Sequence, residues 1–426
     1  MVKKESCELS QGGLPMLLFH IADIHLGKSI NGMPLIDDQR YWINEFLKKC
    51  DEKDPDAVLI AGDVYDRVNP GPEAVDLLDY LLSELDTRDI PVFMIAGNHD
   101  SGPRLQFAHR ILAKSNIHIA GKPTREVVHF TLDDPDGMGP VTFWLVPYIY
   151  PEAVASILED DSIKTYSDAM TRLLEIQEID SSHRNVILSH QNVVANGEEI
   201  ERGGSETMTG GLGPMEYTVF DAFDYVALGH IHSGLPVGRS SVRYAGTPLC
   251  YHFDETKYKN KGIVEVVLGK KGDEIKPSVI PIAPLHKMHH ISGTRDDIYD
   301  EVENRVGDGE YVGITMTDMR FTSEISDYLR TVITGRGGVL LETLSTYNEF
   351  SFSGVTATSG DVRKKPVEDL FADFYKAQTA GKDPSEDELE TMRYLGELVR
   401  NGSESSNEEN AQKLLDKLGK DKGDNV

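Results

Sequence analysis

Five short apolar runs, each stopped abruptly by a polar residue, govern how this chain can fold. They are MLLFHIAD (16–23), AVLIAGD (57–63), PVFMIAGN (91–98), NVILSH (185–190) and YVALGH (225–230). Apolarity that is continuous rather than alternating predicts strands covered on both faces, as in an α/β fold with a layered β-sandwich core flanked by helices. Helix-period stripes lie between the first three runs. One is Ile36, Ile43, Phe46, Leu47 and Cys50; the other is Val75, Leu78, Leu81, Leu82 and Leu85, opening on Pro70 and Pro72 as helices often do. A further helix is expected near 104–114 and a strand within VTFWLVPYI (141–149). Segments 240–246, 262–269 and 277–283 are β-rich and separated by Gly- or Lys-containing turns, which predicts hairpins, while 191–224 reads as a loop.

A chain of 426 residues has room for two or three domains and a sizeable core. Residues 1–15 form an N-terminal extension, 16–283 the strand-rich core, and 284–350 a small α+β unit in which strand and helix patterns alternate. The polar stretch 351–366 has the composition of a linker. In 367–400 two amphipathic helices are expected, with Leu370, Phe371, Phe374 and Tyr375 on one apolar face; such a pair is too small to fold alone. Residues 401–426 are poor in apolar side chains and expected to be disordered.

Charge narrows the partners. With 43 basic and 71 acidic residues the formal charge is -28, which argues against coating nucleic acid or anionic membrane by simple attraction. The run Leu14 to Ile21 is too short to span a membrane and leads directly into Asp23 and His25. Cys7, Cys50 and Cys250 are odd in number, widely spaced and free of CxxC pairing, which suits a reducing compartment; the cytoplasm is the expectation.

The residues that end the runs are all of metal-ligand type: Asp23 with His25, Asp63, Asn98 with His99, His190, and His230 with His232. Ligand sites of open α/β sheets lie outside the carboxyl ends of the strands, so these endings should converge on one edge. The pairs Asp23/His25 and His230/His232 are two apart, a spacing that puts both side chains on one face of an extended segment. Gly62, Gly97 and Gly229 each precede a ligand, where the backbone must turn tightly. Carboxylate, carboxamide and imidazole donors without thiolate suit Mn, Fe or Zn. Seven ligands exceed the needs of one ion. Two ions about 3.5–4 Å apart, bridged by Asp63, would activate water and stabilise a five-coordinate phosphorus. His99 is then the expected general acid, with Asp100 as its orienting partner. His109, His118, His129, His183, His286, His289 and His290 read as surface or packing residues, and His20 and His252, though near the motifs, are set beside them.

Taken together, the strings DIH (23–25), GDVYD (62–66), GNHD (97–100), His190 and GHIH (229–232) resemble the calcineurin-like metallophosphoesterase signature over about residues 16–283. The finer strings DIHLG, GDVYDRVNP, GNHDS, ALGHIH and RYAGTPLCYHFDE are similar to the bacterial branch of the Mre-type repair nucleases. That resemblance implies a Mn-dependent DNA exonuclease and endonuclease subunit with two divalent ions. Asp23, His25, Asp63 and His232 would hold one ion, and Asp63, Asn98, His190 and His230 the other. It further implies DNA contact by the 284–350 capping domain, docking of 367–400 on an SbcC-type coiled-coil ATPase, and a homodimer within a heterotetramer. One position departs from part of the family: Asp66 stands where archaeal and eukaryotic relatives carry a substrate-positioning histidine. A stand-alone metallophosphatase or nucleotidase on the same site is the alternative, although it has little use for the C-terminal helical pair. A catalytically silent scaffold is disfavoured by the full ligand set.

Overall fold

The computed structural model describes residues 15–133, 137–198, 213–259, 261–347, 367–378, 382–386, 388–389 and 391–393. The apolar runs become the inner strands of two six-stranded sheets. The first sheet runs, in spatial order, Ser278–Pro281, Gly262–Leu268, Met16–Ile21, Ala57–Ala61, Val92–Ile95 and Ile117–Ala120; the second runs Pro236–Val237, Arg239–Tyr244, Tyr225–Gly229, Arg184–His190, Val141–Val146 and Val128–Leu132. Every strand that carries one of the five runs is parallel to its neighbours from that set. Their carboxyl ends therefore fall on a common edge of each sheet.

Burial explains the continuous apolarity. Along Met16–Ile21 one set of side chains, including Leu18, joins Leu59, Phe93, Phe143, Leu188, Tyr225 and Val264 between the sheets. The alternate set, Phe19 and Ile21, packs outward against Trp42, Phe46, Leu77 and Leu81 of helices Ile36–Lys53 and Pro72–Thr87. Helices Pro151–Leu158 and Tyr166–Glu175 cover the second sheet in the same way. Neither face of an inner strand meets water, so neither keeps polar residues.

Three details differ from the sequence expectations. Helix Pro72–Thr87 buries Ala74, Leu77, Leu78, Leu81, Leu82 and Leu85, whereas Val75 is 44% exposed, because the i, i+3, i+4 stripe starts one residue earlier. The helix near 104–114 is broken into Gly102–Leu105, His109–Leu112 and the 3-10 turn Ala113–Ser115, with Ala108 in the left-handed region. Of the expected hairpins, only Gly262–Leu268 with Ser278–Pro281 is one. Arg239–Tyr244 instead lies parallel to Tyr225–Gly229, and Gly262–Leu268 returns antiparallel to Met16–Ile21, where Val264, Val266 and Leu268 complete the core between the sheets.

After Pro284 the alternation of strand and helix is present as Met288–Gly293, Arg295–Arg305, Tyr311–Met316, Ser323–Gly335 and Val339–Ser345, with the three strands parallel. Thr294 and Thr322 cap the two helices through their side chains, and Ile298, Val302, Ile314, Leu329 and Ile333 form a separate small core. Asp38 of helix Ile36–Lys53 accepts hydrogen bonds from the His286 backbone (3.2 Å) and the Tyr311 hydroxyl (3.1 Å), and residues up to Thr346 make one compact unit.

A second unit begins at Tyr347. It contains helix Val367–Gln378, with the rings of Phe371 and Tyr375 5.7 Å apart, and further helical residues at 386, 388–389 and 391–393. Ser385 and Glu388 form a reciprocal capping pair there. The extension at 1–14, the linker at 351–366, the Phe374 side chain, 394–400 and the tail at 401–426 lie outside the described residues. No described helix is long and apolar enough to cross a membrane.

Candidate metal centre

Three loops leave the first sheet at its carboxyl edge, and backbone hydrogen bonds zip them together. Asp23, His25 and Leu26 donate their N–H groups to the carbonyls of Gly62, Asp63 and Val64. Asp100 then ties in the third loop: one carboxylate oxygen accepts from the N–H of Gly97 (2.8 Å) and Val64 (3.1 Å), the other from Tyr65 (2.9 Å). Asp100 was expected to orient the His99 ring, and here the structure corrects the expectation. Its carboxylate is spent on backbone donors, while His99 Nδ1 faces the carbonyl of Asp66 at 3.0 Å.

The second sheet supplies the opposite wall. His190 is the last residue of its strand, and its Nδ1 meets the Ala61 carbonyl across the sheets at 2.8 Å, which leaves Nε2 facing the centre. That Nε2 lies 3.1 Å from Asn98 Oδ1 and 3.3 Å from Asp63 Oδ2. His230 donates its backbone N–H to both oxygens of Asp23 (3.0 and 3.1 Å) and sets Nδ1 3.1 Å from Asn98 Oδ1. Asp63 sits in the middle: Oδ1 accepts the His99 N–H at 2.8 Å, and Oδ2 is 3.7 Å from His25 Nε2. Potential donor atoms come within 4.8 Å of one another in three sets, Asp23/His25/His232, His25/Asp63/His99 and Asp23/Asp63/His190. The last two share Asp63, and His99 stands among the possible ligands as well as beside them.

Strained backbone builds this convergence. Asp23 (φ 51°), His25 (φ 46°), Asp63 (φ 47°) and His230 (φ 96°) all lie in the left-handed region, at about 1–3 kcal/mol each. The two-residue spacing of Asp23/His25 thus works by kinked loops and not by an extended segment; Ile24 and Ile231 between the paired residues turn into opposite outer cores. The glycines also act differently from the expected tight turn. Only Gly62 has positive φ among the three, whereas a Cβ on Gly97 would lie 2.1 Å from Asp63 Oδ1 and one on Gly229 2.0 Å from the Ala61 carbonyl. Close approach is what excludes a side chain there.

Electrostatics single out the same pocket of charge. Burial pushes Asp23 up to about 7, with the neighbouring histidines only partly opposing it. Burial would raise Asp63 too, yet His190, His25 and His99 outweigh it and hold that carboxylate far below the usual range. Burial drives His25 well below its ordinary value, and neither of its ring nitrogens has a hydrogen-bond partner. His190 is raised to about 9, because the Asp63 and Asp23 charges overcome its burial. Two buried acids, an orphaned buried imidazole and oxygen and nitrogen donors only are a set that divalent cations satisfy.

Several supporting residues escape sequence inspection. Glu255, fully buried in the 3-10 turn Phe253–Lys257, accepts from His232 Nδ1 at 2.8 Å. Gln39 donates to the carbonyls of His25 (2.7 Å) and Ile24 (3.2 Å) and accepts from Gly27 N–H (3.0 Å), and Tyr251 bonds the Ile24 carbonyl through its hydroxyl. The only signal for them is the string CYHFDE, since nothing in Gln39's helix marks it. Asp66, carried as a substrate-positioning candidate, pairs with Lys28 at 2.8 Å and lies 3.7 Å from His25 Nδ1. His20 stays in the core against the Tyr225 hydroxyl, and His252 caps Asp254.

Comparison with known proteins agrees with this geometry. The calcineurin-like phosphoesterase family profile matches residues 16–234. The chain is 28% identical over 366 residues to the SbcD component of the nuclease SbcCD from Staphylococcus epidermidis, covering 85% of this chain and 94% of that protein. Among solved structures, GAP50, the anchor in the inner membrane complex of Plasmodium, aligns with a TM-score of 0.37 and 13% identity over 63% of this chain and 90% of that one, a likeness too low to bear on function. The chain therefore belongs to the calcineurin-like phosphoesterase family, as a homologue of the SbcD nuclease subunit.

Proposed function

We propose that this chain is the nuclease subunit of an SbcCD-type complex, hydrolysing DNA phosphodiester bonds at a centre for two divalent ions, Mn in the first instance. The observation that carries this reading is the convergence of both donor sets on the one buried carboxylate of Asp63. Asp23, His25 and His232 would complete one ion's ligands with Asp63; Asn98, His190 and His230 would complete the other's. Bound cations supply Lewis acidity and positive charge at the scissile phosphate. The chain's own part is to hold the donors in a rigid zipped loop set and to move a proton. His99 Nδ1 is engaged by the Asp66 carbonyl, so Nε2 is the nitrogen left to protonate the leaving oxygen. The 28% identity over nearly the whole of the staphylococcal protein supports a substrate of that protein's kind and a coiled-coil ATPase partner docking on 367–400. It also supports Mn over other metals only as far as the relative's chemistry does.

The test is cleavage of end-labelled duplex and hairpin DNA with Mn, with and without an SbcC-type ATPase and ATP. Cutting that needs metal and rises with the ATPase is the expected result. Rapid hydrolysis of small phosphomonoesters with no DNA cutting would favour a nucleotidase instead.

A further inference from the structure

We propose that Glu255 is a positioning residue for the proposed ion site, setting which nitrogen of His232 carries the proton; the inference rests on the metal-centre reading above. Glu255 is 0% exposed, and a carboxylate is placed so deeply only where its oxygens are satisfied. One oxygen accepts from His232 Nδ1 at 2.8 Å. The other gathers Lys261 Nζ (2.9 Å), Tyr251 N–H (3.1 Å) and the Thr247 hydroxyl (3.2 Å). Lys261 is itself held by the Leu249 carbonyl (3.1 Å) and Thr247, so an ammonium faces the buried carboxylate.

The consequence for His232 is chemical. With Nδ1 donating to Glu255, the proton sits on Nδ1 and Nε2 keeps its lone pair. His232 belongs to the donor set with Asp23 and His25, and its ring centroid is 5.2 Å from that of His25. A carboxylate behind a ligating imidazole both fixes the ring and raises its basicity. The same turn reaches further: Tyr251, whose N–H is tied to Glu255, anchors the Ile24 carbonyl between Asp23 and His25. One buried residue thus braces both sides of one ion's ligand shell, and it leaves the Asn98/His190/His230 side untouched.

Two measurements on the full chain test this. In metal-free protein, nitrogen-15 NMR of the His232 ring is expected to show Nδ1 protonated, and a mixture of tautomers in Glu255→Ala. Manganese titration followed by EPR is expected to show one of two ions weakened by about 10–100-fold in that variant, with the other unchanged. The double change Glu255→Ala with Lys261→Met removes both buried charges together and gives the same readouts if the single variant does not fold. A His232 ring that stays Nδ1-protonated, or two ions bound with wild-type affinity in a folded variant, overturns the proposal. If the wild-type chain takes up no pair of ions, the metal-centre reading fails, and the NMR result still decides the role of Glu255.

Discussion

At the scale of single residues, the centre depends on atoms that cannot be moved by a tenth of a nanometre. His99 lies at the join of two loops, its backbone held by Asp63 and its ring by the Asp66 carbonyl. Replacing His99 with Ala is expected to lower DNA cleavage by about 10²–10⁴-fold, the usual worth of a general acid, while elemental analysis still finds two ions. Loss of an ion would make His99 a ligand, a role open to it beside His25 and Asp63. Gly97→Ala presses a methyl group against Asp63 Oδ1 and its backbone N–H. The expected cost is about 1–3 kcal/mol in urea unfolding, with weakened metal uptake. Ligand identities were legible in the chain as isolated letters, because each ends an apolar run. Asp100 was legible as important but misassigned, since sequence cannot say whether a carboxylate faces an imidazole or three backbone N–H groups.

At the scale of elements, the strands place the ligands and the helices hold the loops in their strained form. Helix Ile36–Lys53 does this through Gln39, whose amide is the shared partner of the Gly27 N–H and the Ile24 and His25 carbonyls. Gln39→Leu keeps the helix and its packing but leaves these buried backbone groups unpaired. It should lower stability by about 1–3 kcal/mol per unsatisfied group and weaken Mn binding, measured by urea melts and titration; unchanged metal affinity would show that the loop holds its kinks unaided. The alternation of strands and helices was plain from periodicity. The return of Gly262–Leu268 to the edge of the first strand was not, because a short β-rich segment reads the same whether its partner is the next strand or one more than 200 residues away.

At the scale of the whole molecule, a chain of formal charge -28 acting on a polyanion needs positive charge concentrated at one place. Two dications at the carboxyl edges of the sheets would supply it, and they would also stabilise the fold that binds them. With Mn at about 100 times its dissociation constant, one site adds about 2.7 kcal/mol; thermal melting should therefore rise with Mn and fall with a chelator, and Asp63→Asn should abolish the difference. The sign of the pH effect follows from Asp23. Burial raises it to about 7, so metal uptake displaces its proton, and apparent Mn affinity should fall as the pH drops below about 7. Affinity that is flat from pH 8 to 6 in calorimetric titrations would contradict a ligand role for Asp23.

The sequence by itself determined the layered α/β class and the roster of ligands. Both follow from local rules, since buried parallel strands are apolar throughout and their ends are where polar groups can emerge. Only the tertiary structure decided how that roster becomes a site. The left-handed turns at Asp23, His25, Asp63 and His230, the bonds that cross between the sheets, and the braces from Gln39, Tyr251 and Glu255 all join residues far apart in the chain. Such contacts are set by how two sheets pack face to face, and no spacing within a single segment encodes that distance.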